Sequence, residues 1–74
     1  MNHYLINKNA DEKGRNEIHK TNICSHLPDP KNRENLGWFS SDEDALKHAK
    51  GNGYPNADGC YYCCEEIHHD WGGK

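Results

Sequence analysis

Four cysteines and six histidines are the residues of this 74-residue chain whose types could do chemistry, and their spacing sorts them into groups. Cys60-Tyr61-Tyr62-Cys63 sets two thiols at the separation that lets both reach one tetrahedral ion, and Asn56-Ala57-Asp58-Gly59 before it is a turn sequence. Thiol redox motifs share that spacing, but their βαβ context is missing here. Upstream, His19 and Cys24 form a second pair where a predicted strand runs into a loop. His19, Cys24, Cys60 and Cys63 together make a three-thiolate, one-imidazole set, which suits a single Zn2+ because zinc accepts both ligand types in a tetrahedron.

Two alternatives to this set stay open. Cys64 follows Cys63 directly, and adjacent side chains diverge, so both rarely reach one ion. If Cys63 opens a helix, Cys64 and His68 fall at i and i+4 on one face, where they could replace Cys63 or His19 or hold a second ion. Four cysteines could also pair as two disulfides. His3, His26 and His48 read as solvent-facing residues, and His69 as a surface residue.

A four-ligand zinc is closed, whereas a catalytic zinc keeps one position for water or substrate. The set therefore points to stability. Cys64 at a helix N-terminus would have a lowered pKa, but no general base with an orienting partner accompanies it. No enzyme activity is expected.

The elements that must position these ligands have little apolar material to work with. Only 32% of the chain is hydrophobic, with four Leu, four Ile, one Phe and no Val. A domain this small buries only about 60% of its unfolded surface and usually needs disulfides, a metal or a partner chain. Residues 3–7 and 16–20 alternate as two strands of a hairpin around a polar turn ending near Gly14. Residues 22–35 contain Pro28 and Pro30 and read as an irregular loop around Cys24, anchored by Leu27. Residues 36–39, Leu-Gly-Trp-Phe, read as a third strand, with Trp38 and Phe39 as the main apolar bulk of the core.

Residues 41–50 read as a helix with Asp42, Glu43 and Asp44 in its first turn and Lys47, His48 and Lys50 near its end, matching the helix dipole. Ser40 or Ser41 offers a hydroxyl to cap it, Ser40 and Glu43 have the spacing of a capping box, and Gly51 supplies the stop. A short second helix begins near Cys63. The expected architecture is α+β: a small antiparallel sheet of about three strands with one or two short helices, stabilised by zinc. Residues 1–71 form one domain and residues 72–74 a frayed end.

Composition also narrows the partners. The chain opens with a polar sequence rather than a basic start and apolar run, so a cytoplasmic setting is expected, where clustered cysteines bind metal more often than they form disulfides. No stretch is apolar enough to span a membrane. Nine Lys plus Arg against twelve Asp plus Glu leave a formal charge of −3, which disfavours nucleic acid. Trp38, Tyr61, Tyr62 and Trp71 could still stack on bases, and Lys13, Arg15, Lys31 and Arg33 could form a local basic stripe. A protein partner fits the mixed surface better.

The run from His19 and Cys24 through Leu27-Pro28, Leu36-Gly37-Trp38-Phe39-Ser40-Ser41 and Tyr54-Pro55 to Cys60 and Cys63 resembles the metal-binding domain of the Ada-type DNA repair protein. It also resembles a group of small bacterial proteins that end in a Gly-Cys-Tyr-Tyr-Cys segment, here residues 59–63. The likeness covers about residues 16–68 and implies a small αβ fold with zinc held between the hairpin-loop pair and the C-terminal knuckle. In the Ada-type domain all four ligands are cysteines, and His19 stands here in place of one. That domain uses a zinc thiolate to accept a methyl group from DNA phosphotriesters. Cys24 is the nearest match by position, so the resemblance also implies an alkyl-acceptor alternative.

Overall fold

The computed structural model describes residues 1–68 and shows an α+β fold. Trp71, His69 and the predicted frayed end at 72–74 lie outside the described residues. Strands β1 (Asn2–Asn7), β2 (Asn16–Lys20), β3 (Arg33–Phe39) and β4 (Ala57–Gly59) form one sheet in the order β3-β1-β2-β4. Helix α1 (Asp42–Gly51) follows β3. Single 3-10 turns occupy Pro30–Asn32 and Glu65–Ile67.

The β1–β2 hairpin closes because Asp11 organises its turn. The Oδ1 of Asp11 accepts from the backbone N–H of Lys13 and of Arg15, both at 2.9 Å, and Gly14 takes the left-handed conformation at φ +84. Without a Cβ, glycine adopts that conformation at little cost. β1 pairs antiparallel with both β2 and β3, with an irregularity between Tyr4 and Leu5 opposite Leu36 and Gly37.

The sheet differs from the expected three antiparallel strands in having a fourth, β4, which runs parallel to β2. Its sequence, Ala-Asp-Gly, offers no alternating apolar pattern and reads as a turn. Pairing with an already formed strand makes it extended.

Side chains alternate across a strand. Tyr4 and Ile6 face α1 and pack with Ile18, Leu36, Ala45, Ala49, Cys64 and Ile67 into the core. Leu5 pairs in register with His19, so both lie on the other face. Phe39 turns toward the core, its ring 6.1 Å from that of Tyr4. Trp38 instead meets His3 edge-on and is 60% exposed, so the expected apolar bulk at Trp38 is corrected: the isoleucines and Tyr4 supply it. His3, read as solvent-facing, is half-buried with Nδ1 2.8 Å from the Thr21 hydroxyl.

Helix α1 takes the second of the two expected caps and not the Ser40–Glu43 capping box. Ser41 is its N-cap, its hydroxyl accepting from the Asp44 N–H at 3.2 Å, while the Ser40 hydroxyl donates to the Asp44 carboxylate. The stop is shifted. Gly51 is still helical, Asn52 is the C-cap with its side-chain amide donating to the His48 carbonyl at 2.7 Å, and the left-handed residue is Gly53. The expected second helix near Cys63 is only the 3-10 turn Glu65–Ile67.

Candidate metal centre

Three short segments deliver the candidate ligands to one place. His19 stands near the end of β2. The chain then turns back at once, with the N–H groups of Ile23 and Cys24 both donating to the Lys20 carbonyl at 3.2 and 3.0 Å, which returns Cys24 to His19. Cys60 extends the β4–β2 pairing by donating its N–H to the Ile18 carbonyl at 2.9 Å. A final turn, closed by the Cys64 N–H on the Cys60 carbonyl at 2.9 Å, brings Cys63 around. That turn packs so closely on Gly59 that a Cβ there would stand 2.5 Å from the Cys64 carbonyl oxygen and closer still to Ile67.

The ligand atoms of His19, Cys24, Cys60 and Cys63 all lie within 4.8 Å of one another, so the four could hold one metal ion. His19 Nδ1 is 3.4 Å from Cys24 Sγ, and Cys24 Sγ is 3.7 Å from Cys60 Sγ. His19, Cys24 and Cys60 are buried and Cys63 half-buried. All four cysteines are free thiols.

Each of the three sulfurs in the set accepts a backbone N–H: Cys24 from His26 at 3.3 Å, Cys60 from Tyr62 at 3.4 Å and Cys63 from Lys20 at 3.3 Å. Such donors stabilise thiolates. The sulfurs nonetheless hold their protons tightly when no cation is present. Burial pushes the Cys24 thiol up. The hydrogen bond with Cys63, then burial, pushes Cys60 up to about 11. For Cys63 the Cys60 contact pulls downward, but the Cys64 contact and burial outweigh it, and the group is pushed up to about 12. A cation at the centre would supply the counter-charge that three crowded thiolates require.

Cys64 and His68, the alternative ligands, are not brought into the set. The helix that would align them does not form. Cys64 is fully buried in the core, with its sulfur 3.7 Å from Cys63 Sγ, and His68 turns its Nδ1 to the Gly59 carbonyl at 2.9 Å.

Behind the imidazole lies a charged network that the ligand spacing did not reveal. Glu17 Oε1 is 3.7 Å from His19 Nε2, on the side of the ring away from Cys24. Burial, then the charge of Asp11, raises the Glu17 pKa. Arg15 reaches Glu17 at 3.7 Å and the buried Asp58 at 3.6 Å, and Asp58 lies 3.7 Å from His68 Nδ1. The signal was the alternation itself: residues 15, 17 and 19 share one face of the extended chain.

No helix among the described residues is long and apolar enough to cross a membrane. Scans against protein-family models, curated proteins and solved structures each returned no match.

Proposed function

We propose that this chain is a small structural-zinc module that acts by binding a protein partner and carries no catalytic activity. The observation that carries the metal assignment is the size of the cluster. Zinc–sulfur bonds of about 2.3 Å at tetrahedral angles set sulfurs about 3.8 Å apart, and a zinc–nitrogen bond of about 2.0–2.1 Å sets nitrogen about 3.6 Å from sulfur. Two of the spacings here are 3.7 Å and 3.4 Å, and all of them lie within 4.8 Å. Free thiols and soft ligands favour zinc in a reducing, cytoplasmic setting.

A structural role follows from closure, since four protein ligands leave no position for substrate. The alkyl-acceptor alternative needs a thiolate that DNA can approach. Cys24 is 9% exposed, and the segments around it carry no Lys or Arg to meet a phosphate backbone. Nucleic-acid binding is disfavoured for the same reason.

X-ray absorption at the zinc edge of protein purified under reducing conditions tests the reading. Three sulfurs at about 2.3 Å and one nitrogen at about 2.0–2.1 Å agree with it. A four-sulfur shell, or an oxygen ligand from solvent, contradicts the closed site built on His19.

A further inference from the structure

Two of the three ligand-bearing segments, residues 21–29 and 57–68, hold large side chains that the fold leaves outside. Tyr61 and Tyr62 are 59% and 67% exposed, and Ile23 is 62%. The rings are nevertheless ordered against one another. His26 stacks on Tyr62 with centroids 3.8 Å apart and planes 18° from parallel, and Tyr61 meets both Tyr62 and His68 edge-on at 5.3 Å.

The stack is pinned from beneath by the cluster. The backbone N–H of His26 donates to Cys24 Sγ and that of Tyr62 to Cys60 Sγ, and those two sulfurs are themselves 3.7 Å apart. The contacts that assemble the metal site therefore also hold the ring surface. Exposed aromatic rings fixed in this way bind at small entropic cost, because little freedom remains to be lost.

Charge selects the occupant. The two segments contain Asp29, Asp58, Glu65 and Glu66 and neither Lys nor Arg. Asp58 is buried against Arg15, but Asp29, Glu65 and Glu66 are exposed. Of the flanking cations, Lys20 lies 3.7 Å from Asp42, and Arg33 donates from its Nε to the Pro28 carbonyl at 2.7 Å. Three thiolates around a divalent ion add one further negative charge. A phosphate backbone is repelled by such a surface, and no cavity among the described residues would enclose a small molecule. A planar cation satisfies both features, since guanidinium stacks on aromatic faces and pairs with carboxylates.

We propose that the ring surface of His26, Tyr61 and Tyr62 docks an arginine-bearing segment of a partner protein, with guanidinium over the tyrosine faces and Glu65 and Glu66 supplying opposite charge. This rests on the metal reading, because the ion holds the two segments together. The test is fluorescence anisotropy of a labelled, unstructured Arg-Gly repeat peptide titrated with the zinc-loaded full chain at low ionic strength. A Lys-Gly peptide of equal length and a single-stranded DNA oligonucleotide run beside it.

The expected result is binding of the arginine peptide about ten-fold tighter than the lysine peptide. The double variant Tyr61→Ala/Tyr62→Ala, its zinc content verified, is expected to lose about ten-fold in affinity, which corresponds to about 1.4 kcal/mol. No binding, equal binding of the two peptides, undiminished binding by the variant or preference for DNA overturns the proposal. Zinc is counted in the same samples. A chain that arrives without metal fails the metal reading, whereas a loaded chain that ignores the peptide fails the docking proposal alone.

Discussion

Cys24 Sγ and Cys60 Sγ lie 3.7 Å apart although 36 positions separate them in the chain. Their approach ties the loop after β2 to the C-terminal turn, which itself reaches the core only through Cys64 and Ile67 among its buried residues beyond Cys60. The core cluster is assembled from a few isoleucines, one leucine, one tyrosine, alanines and Cys64. In small zinc modules, metal binding contributes roughly 10–16 kcal/mol of apparent free energy at neutral pH, more than such a core supplies. Chelation under reducing conditions is therefore expected to abolish the cooperative thermal transition and most far-UV circular dichroism signal, and added zinc to restore both. A chelated chain that melts unchanged would rule out the metal as the main stabiliser.

Cys63 and Cys64 are neighbours with opposite tasks, and substitution separates them. Cys63→Ser removes a proposed ligand and is expected to leave purified protein with substoichiometric zinc. Cys64→Ala deletes one buried core atom, which costs on the order of 1 kcal/mol, and is expected to keep a full complement of zinc. Elemental analysis of the two variants reads the difference. The reverse pattern would assign the ligand role to Cys64.

Gly59 is required by close approach. A Cβ there would meet the Cys64 carbonyl oxygen at 2.5 Å and collide with Ile67. Gly59→Ala forces the final turn away from β4 and is expected to destabilise the loaded protein by about 1–3 kcal/mol, the usual range for overpacking. A melting temperature equal to the parent's would show that the turn yields freely.

Tyr54 provides a pH-dependent readout of the fold. Its hydroxyl donates to Glu34 Oε1 at 2.6 Å, and that hydrogen bond, with burial and the carboxylate charge behind it, pushes the phenol up to about 12. Because the folded value is raised, the contribution is fully present below the ordinary tyrosine range and is lost as pH rises through about 12. Ultraviolet titration is expected to show a tyrosine ionising about two units late, and Glu34→Gln to return it toward its ordinary value. If the substitution leaves the titration unmoved, the pair does not form in solution.

Local pattern made the hairpin, α1 and the grouping of His19, Cys24, Cys60 and Cys63 legible from sequence. Strand alternation around Leu5 and Ile18, acid-to-base polarity along residues 42–50 and the Cys-x2-Cys spacing all act over a few residues. What escaped depends on distant partners. β4 is extended because β2 is already there to pair with it, not because Ala57-Asp58-Gly59 favours a strand. Trp38 faces outward since the irregularity opposite Tyr4 and Leu5 gives the core side to Leu36 and Phe39, a choice composition cannot reveal. Cys64 and His68 are not aligned on a helix face because the chain makes only a 3-10 turn after Cys64, whose side chain the core takes up.

The predictions on chelation and on Cys63 depend on one zinc held by His19, Cys24, Cys60 and Cys63, with Cys64 buried beside it. Native mass spectrometry of the reduced chain, before and after a brief pulse of iodoacetamide and again after chelation, tests this most directly. The expected result is one zinc per chain, no rapid alkylation while the ion is bound, and four alkylated cysteines once it is removed. A chain that carries no metal and runs four protons light would contain two disulfides instead, and would contradict both the cluster's role and the reducing setting assigned to it.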